Sequence, residues 1–248
     1  MAIPNKLRRA LAALLVAAGG VACQPAVSFQ APPEGLAEGE RKPLQIGKLI
    51  KKRQIAPVMS VAHADWLTRP ERDDEEQPDR VVAALKIPQG ATVVDLGAGV
   101  GYFTWRLAEA VGPSGKVIAV DIQEGMLDLL AANLKRRGID NVELVLARPE
   151  DPNLPVGQVD LLMLVDVYHE LAHPEATMAY VRRSLKPDGR VAIIEYRKED
   201  PTVWIQPLHK MTVEEVRAEV EPVGFRLDEV MDFLPKQHII IFKSRPHG

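Results

Sequence analysis

The chain reads as an α/β fold built on a doubly wound, mostly parallel sheet. Three observations lead there. The first is Val93-Val94-Asp95-Leu96-Gly97-Ala98-Gly99-Val100-Gly101, an apolar run ending in an acid and alternate glycines, after which a helical pattern opens at Tyr102–Ala108. The second is alternation. Further apolar runs at Lys116–Asp121, Val142–Leu146, Val159–Asp166 and Arg190–Tyr196 are mostly separated by helical stretches. The third is a closing pair, Phe225–Phe233 and His238–Lys243 around Leu234-Pro235-Lys236-Gln237, which reads as an antiparallel edge.

At 248 residues and 46% hydrophobic, the chain can bury one substantial core. A formal charge of −3 gives no basic excess, so nucleic acid is not an expected partner. Cys23 is the one cysteine, which excludes intrachain disulfides, cysteine-cluster zinc sites and a thiol nucleophile in the core domain. No metal is expected.

Taken in order, Lys6, Arg8 and Arg9 precede the apolar run Ala10–Ala22, the charged and apolar regions of a signal peptide over 1–22 and too short to span a bilayer. Gly20-Val21-Ala22-Cys23 resembles the lipobox of bacterial lipoproteins, with Gly where a large aliphatic residue is usual. Processing there makes the domain exported, periplasmic or anchored to a membrane through lipidated Cys23; without it the protein is cytoplasmic. Residues 23–45, rich in Pro, Gly, Ala and Glu, form a linker. Residues 46–80 are a helical extension or lid, opening on the basic amphipathic stretch Ile46–Ile55. Within it Trp66, Arg69 and Arg72 form either a flap over a ligand or ordinary packing and surface charge, ahead of the acidic run Asp73–Glu76. Asp79–Leu85 is a helix that feeds the first strand through Lys86–Gly90.

The glycines follow G-x-G-x-G, and Tyr102 breaks the dinucleotide fingerprint G-x-G-x-x-G. Asp95 beside them would repel a pyrophosphate and suits a ligand with a positive charge or an amino group. Asp121, at the end of the second strand, either accepts from ribose hydroxyls or opens the next helix as a solvated carboxylate. That helix carries Met126, Leu127, Leu130 and Leu134 on one face and stops at Gly138 behind Lys135-Arg136-Arg137. The loop Arg148–Pro152 lies at the same sheet edge. After the fourth strand, Asp166-Val167-Tyr168-His169-Glu170 crowds polar groups where ligands of such sheets bind. Ala176–Leu185 is the next helix, and Thr212–Glu221 is the last, starting on a capping box of Thr212 and Glu215.

From Asp79 to Lys243 these landmarks resemble the class I S-adenosylmethionine-dependent methyltransferases. The residues that carry the likeness are the glycine segment 93–101, Val120-Asp121-Ile122, the strand Val159–Asp166, Leu185-Lys186-Pro187-Asp188-Gly189-Arg190 and the terminal hairpin, in that order. The resemblance implies a Rossmann-like methyltransferase domain over 81–245, with a seven-stranded sheet whose terminal strand is antiparallel. Its cofactor is S-adenosylmethionine, lying across the strand ends. It further implies that Asp95, Gly97, Ala98, Gly99 and Gly101 hold the methionyl end, Asp121 the ribose, and Ile122 with Met126 the adenine. Many relatives place an acid in the third-strand loop. That position is Arg148 here, with Glu150 and Asp151 as the candidate replacements.

On the acceptor side stand Asp166, Tyr168 and His169. His169 either deprotonates a hydroxyl or braces the neighbouring helix, and Tyr168 either orients the acceptor or packs. Glu195, Tyr196, Arg197, His209 and Lys210 either line the acceptor pocket or serve surface and core. An Asn/Asp-Pro-Pro-aromatic motif, a cysteine nucleophile and an Asp-Asn metal pair are each missing from their usual places, which leaves a small-molecule or lipid-like acceptor, methylated on oxygen or carbon. Two alternatives compete: an exported, non-catalytic protein binding a nucleoside-like ligand or a partner, and a nicotinamide-dependent oxidoreductase, which the glycine spacing and Asp95 disfavour.

Overall fold

The structure, a computed structural model, describes residues 53–245. The signal-like segment 1–22, Cys23, the linker 23–45 and most of Ile46–Ile55 lie outside the described residues. Of that last stretch, Arg53–Ile55 is irregular rather than helical. Tertiary contacts decide this: Arg53 donates from Nη1 to the His169 carbonyl at 2.6 Å, from Nη2 to the Tyr168 carbonyl at 2.8 Å, and from Nε to Glu219 at 2.9 Å.

The strands are β1 (Thr92–Leu96), β2 (Lys116–Asp121), β3 (Val142–Leu146), β4 (Val159–Val165), β5 (Leu185–Arg197), β6 (Lys210–Met211), β7 (Phe225–Met231) and β8 (Gln237–Ser244). They form one sheet in the order β3-β2-β1-β4-β5-β8-β7, with the two-residue β6 pairing in parallel beside the end of β5. Only β8 runs antiparallel, against β5 on one side and β7 on the other. The antiparallel strand therefore lies one place in from the edge, because the hairpin folds back between its first strand and β5. The strand order reverses between β1 and β4, so a crevice opens at their carboxyl ends.

The helices are α1 (Arg72–Glu76), α2 (Pro78–Ala84), α3 (Thr104–Val111), α4 (Glu124–Arg137), α5 (Pro174–Ser184) and α6 (Val213–Val220). Among the described residues no helix is long and apolar enough to cross a membrane. Strand residues alternate between two buried faces. Val94, Ile118, Leu162, Ile193 and Ile240 pack in one apolar cluster with Met178 and Val181 of α5 and Val216 of α6. Val93, Val117, Leu161, Ala192 and Ile239 pack in the other with Val81 of α2 and Leu107 and Val111 of α3. Helices on both faces make the sheet doubly wound.

Local chemistry sets the helix ends. Gly138 stops α4 in the left-handed region at φ 68°, donating to the Leu134 and Lys135 carbonyls. At α6 the Thr212 hydroxyl accepts from the Glu215 N–H at 3.1 Å, and the Glu215 carboxylate accepts from the Thr212 N–H at 3.0 Å. Such a reciprocal cap satisfies two amides that the helix leaves open. Thr212→Ala should cost about 1 kcal/mol of stability, read as a lower urea midpoint at unchanged slope.

Candidate active site

A cavity of about 480 Å³ lies at the carboxyl ends of β1, β2, β4 and β5, a size that suits a single organic ligand. Seven of the ten residues expected at the cofactor line it: Asp95, Gly97, Ala98, Gly99, Asp121, Ile122 and Met126.

At Gly97, φ is 80° and a Cβ would lie 2.3 Å from Val167 Cγ2, so backbone alone passes the exit of β4. Two amides fix the Asp121 carboxylate at the crevice: the Gly99 N–H donates to Oδ2 and the Gln123 N–H to Oδ1, each at 2.9 Å. Each oxygen keeps a lone pair for a further donor.

Gly101, Glu150 and Asp151 do not line the cavity. A Cβ on Gly101 would come within 2.1 Å of Leu130 Cδ1, so this glycine lets the loop close onto α4. Asp151 accepts from the Asn153 N–H at 2.8 Å, which turns its carboxylate into the loop. Glu150 is exposed, 3.6 Å from His173. From that loop Ala147, Arg148, Pro149 and Pro152 reach the cavity instead.

Asp95 is buried, 3% exposed, and takes a 2.6 Å hydrogen bond from the Thr104 hydroxyl. Burial pushes its carboxyl up to about 6, against the Thr104 hydrogen bond and the Arg72 charge and with help from Asp121. Burial likewise raises Asp121, against its backbone hydrogen bonds.

The segment ahead of β1 supplies another part of the lining. Trp66, Leu67, Arg69, Arg72 and Glu76 all face the cavity. Arg72 lies 3.9 Å from the centre of the Tyr102 ring and pairs with Glu76 at 2.7 Å. The other Glu76 oxygen, Oε2, is buried without a hydrogen-bond partner among the described residues. Glu76 was legible only as part of an acidic run, although its spacing of four from Arg72 is that of a helical ion pair.

The acceptor-side residues separate. Asp166 lines the cavity in a left-handed conformation (φ 53°), its carboxylate held by the Gln237 side-chain N–H group at 2.9 and 3.0 Å. Burial, then the Glu76 and Glu195 charges, hold that carboxyl well above the usual range. Tyr168 does not line the cavity. It packs in the core, 5.8 Å below the Arg53 guanidinium, because the tight turn Tyr168–Glu170 points successive side chains in different directions. His169 lines the cavity while only 1% exposed. Its Nδ1 is 2.5 Å from Oε2 of the fully buried Glu195, and its Nε2 is 3.0 Å from Nδ1 of His209. Burial lowers the His169 pKa, but the charge and hydrogen bond of Glu195 outweigh it and leave the ring above an ordinary histidine.

The protein-family profile described as "Methyltransferase domain" matches residues 87–229. The chain belongs to the methyltransferase domain family. The ubiquinone/menaquinone biosynthesis C-methyltransferase UbiE of Burkholderia cenocepacia is 33% identical over 129 residues, 52% of this chain and 51% of its own. The namesake from Burkholderia mallei is 32% identical over the same shares. The chain thus spans about half the length of the curated relatives it matches. A SAM-dependent methyltransferase from Aquifex aeolicus superposes with a TM-score of 0.71 at 27% identity, covering 75% of this chain and 98% of that one. The cofactor of this methyltransferase family is S-adenosylmethionine.

The residues present fit that cofactor. Asp121 offers spare lone pairs at the crevice, and Glu76 Oε2, without a partner among the described residues, can accept from an ammonium group. Buried acids around the crevice favour a ligand that brings positive charge.

Asp95 gives a test with a definite sign. Its folded pKa of about 6 exceeds the reference 3.8, so the folded state holds the proton longer and stability falls as pH rises between those values. Asp95→Asn should match wild type near pH 4 and gain on the order of 3 kcal/mol over it at pH 8, measured by urea unfolding across that range.

Proposed function

We propose that this chain transfers a methyl group from S-adenosylmethionine to an apolar small-molecule acceptor, at a hydroxyl oxygen or an acidic carbon. The observation that carries the choice of acceptor is the buried His169–Glu195 pair opening on the cavity. An imidazole backed by a buried carboxylate is a device for taking up a proton. It serves acceptors that must shed one, O–H or activated C–H, and has no task at a nucleophile that already carries a free lone pair.

When bound, S-adenosylmethionine supplies an electrophilic methyl carbon on a sulfonium, whose C–S electron pair stays with sulfur as the acceptor's pair forms the new bond. The chain's share is to hold, orient and exclude water. In this proposal Asp95, Gly97, Ala98 and Gly99 hold the methionyl end together with Arg72 and Glu76. Asp121 takes the ribose hydroxyls, and Ile122 and Met126 flank the adenine. Asp166, its carboxyl raised and so inclined to keep its proton, faces the acceptor as a hydrogen-bond donor.

An apolar, lipid-like acceptor is supported by the lining. Val58, Met59, Leu67, Phe103, Val167 and Leu171 contribute to it, and Trp204 among the lining residues is 93% exposed. The curated relatives are named for C-methylation in ubiquinone and menaquinone biosynthesis, which supports the same polarity of acceptor. The proposal extends to location: export, with Cys23 lipidated, would hold the domain beside a bilayer that carries such acceptors.

The test is transfer of labelled methyl from S-adenosylmethionine to a panel of apolar phenols, quinols and β-dicarbonyl compounds. Product should form with wild type, and His169→Ala should lower the rate by about 100-fold or more while S-adenosylhomocysteine still binds. Transfer to amines alone, unaffected by His169→Ala, would overturn the acceptor assignment.

A further inference from the structure

Methyl transfer to a hydroxyl or an activated carbon needs a group that takes the acceptor's proton, and both ring nitrogens of His169 are already engaged. Nδ1 meets Glu195 and Nε2 meets His209 Nδ1. His209 stands differently. It closes the short turn Pro207–His209, lines the cavity, and its side chain is 26% exposed against 1% for His169. Its Nε2 has no hydrogen-bond partner among the described residues.

The direction of these hydrogen bonds follows from elementary chemistry. The Glu195 carboxylate only accepts, so His169 Nδ1 carries the hydrogen. A neutral His169 then has a bare Nε2, which must accept from its neighbour. His209 Nδ1 is therefore the donor, and in the neutral ring His209 Nε2 is the nitrogen left with a free lone pair. One buried carboxylate thereby sets the tautomer of both rings.

We propose that His209 Nε2, rather than His169, takes the acceptor's proton, and that the charge passes inward from His209 to His169, where Glu195 faces it. The proposal rests on the methyl-transfer reading of this cavity. As the acceptor's O–H or C–H bond breaks, an N–H bond forms at His209 Nε2 and the electron pair remains on the acceptor for the incoming methyl. The Nδ1–H bond of His209 then breaks as an N–H bond forms at His169 Nε2. His209 ends neutral in its other tautomer, and His169 ends as an imidazolium against Glu195.

The surroundings agree with that direction. Burial, and next the positive charge on His169, hold His209 below an ordinary histidine, whereas Glu195 holds His169 above one. The inner ring is the stronger base. Glu170 Oε1 lies 3.9 Å from His209 Nδ1, its carboxyl pushed up to about 7 by burial, with Glu195 adding and His169 opposing. Arg53, bonded to the carbonyls of Tyr168 and His169, opposes the charge on His169 without cancelling it.

His169, Glu170 and His209 also offer ligand atoms within 4.8 Å of one another, so a metal ion is the rival occupant. Two nitrogens on a tetrahedral zinc sit about 3.3 Å apart. The imidazole pair is closer, at 3.0 Å, and the carboxylate farther, at 3.9 Å, which is the pattern of a hydrogen bond with a neighbouring acid.

Nitrogen-15 spectra of histidine-labelled full-length protein, bound to S-adenosylhomocysteine and titrated from pH 5 to 9, decide the matter. The expected result is a neutral His209 with hydrogen on Nδ1 and a bare Nε2, and a His169 that keeps its second proton to a higher pH than His209 does. Glu195→Gln, which keeps the shape and removes the charge, should narrow or reverse that order. A neutral His209 with hydrogen on Nε2, a His209 that outlasts His169, or stoichiometric zinc retained on both rings would each overturn the proposal. Failure of the folded protein to bind S-adenosylhomocysteine would instead overturn the methyl-transfer reading beneath it.

Discussion

Four acids stand at or near the carboxyl ends of four neighbouring strands, and the cost of charging them there shapes the rest of the molecule. Asp95 is in β1, Asp121 ends β2, Asp166 follows β4, and Glu195 lies near the end of β5. Burial raises the carboxyls of the first three. Each acid has its own support: the Thr104 hydroxyl for Asp95, two amides for Asp121, the Gln237 side chain for Asp166 and His169 for Glu195. Arg72, brought in by α1, is the cation that acts on both Asp95 and Asp166. A ligand carrying a sulfonium and an ammonium group answers the acid excess that remains. A pyrophosphate would worsen it.

The cavity's contrasts follow from this arrangement. The glycine loop and the carboxylates come from strand ends and their turns, which the sheet holds rigidly. The apolar lining comes largely from segments outside the sheet: Val58, Met59 and Leu67 precede β1, Phe103 follows it, Val167 and Leu171 follow β4, and Trp204 lies between β5 and β6. A parallel sheet can thus keep one cofactor site while the flanking loops set the acceptor.

Much of this was legible in the sequence, for reasons that can be named. Strands buried on both faces read as continuous apolar runs, and β1, β2 and β4 fall within one residue of the expected limits, as does the half-buried edge strand β3. Asp95 and Asp121 were legible because a strand end fixes where its last residue points. Contacts distant in the chain were not. Glu195 meets His169 only because Val165 pairs with Ile194 in the β4–β5 register, and His209 joins them through a separate turn. No local pattern encodes that register. Tyr168 and His169 are adjacent and equally polar in sequence, and a tight turn sends one to the core and the other to the cavity. The loop 148–152 misled for a similar reason, since counting positions cannot say which side chain a turn will use on itself.

Everything proposed for this cavity depends on the acid-lined crevice binding S-adenosylmethionine through Asp121 and the glycine loop. Calorimetric titration of S-adenosylhomocysteine into the full-length protein tests it most directly, with Asp121→Ala beside wild type and a nicotinamide dinucleotide as control ligand. Wild type should bind in the micromolar range, about −8 kcal/mol, the variant at least tenfold more weakly, and the dinucleotide should give no heat. Absence of binding to folded wild-type protein, or equal binding by the variant, would contradict that assignment.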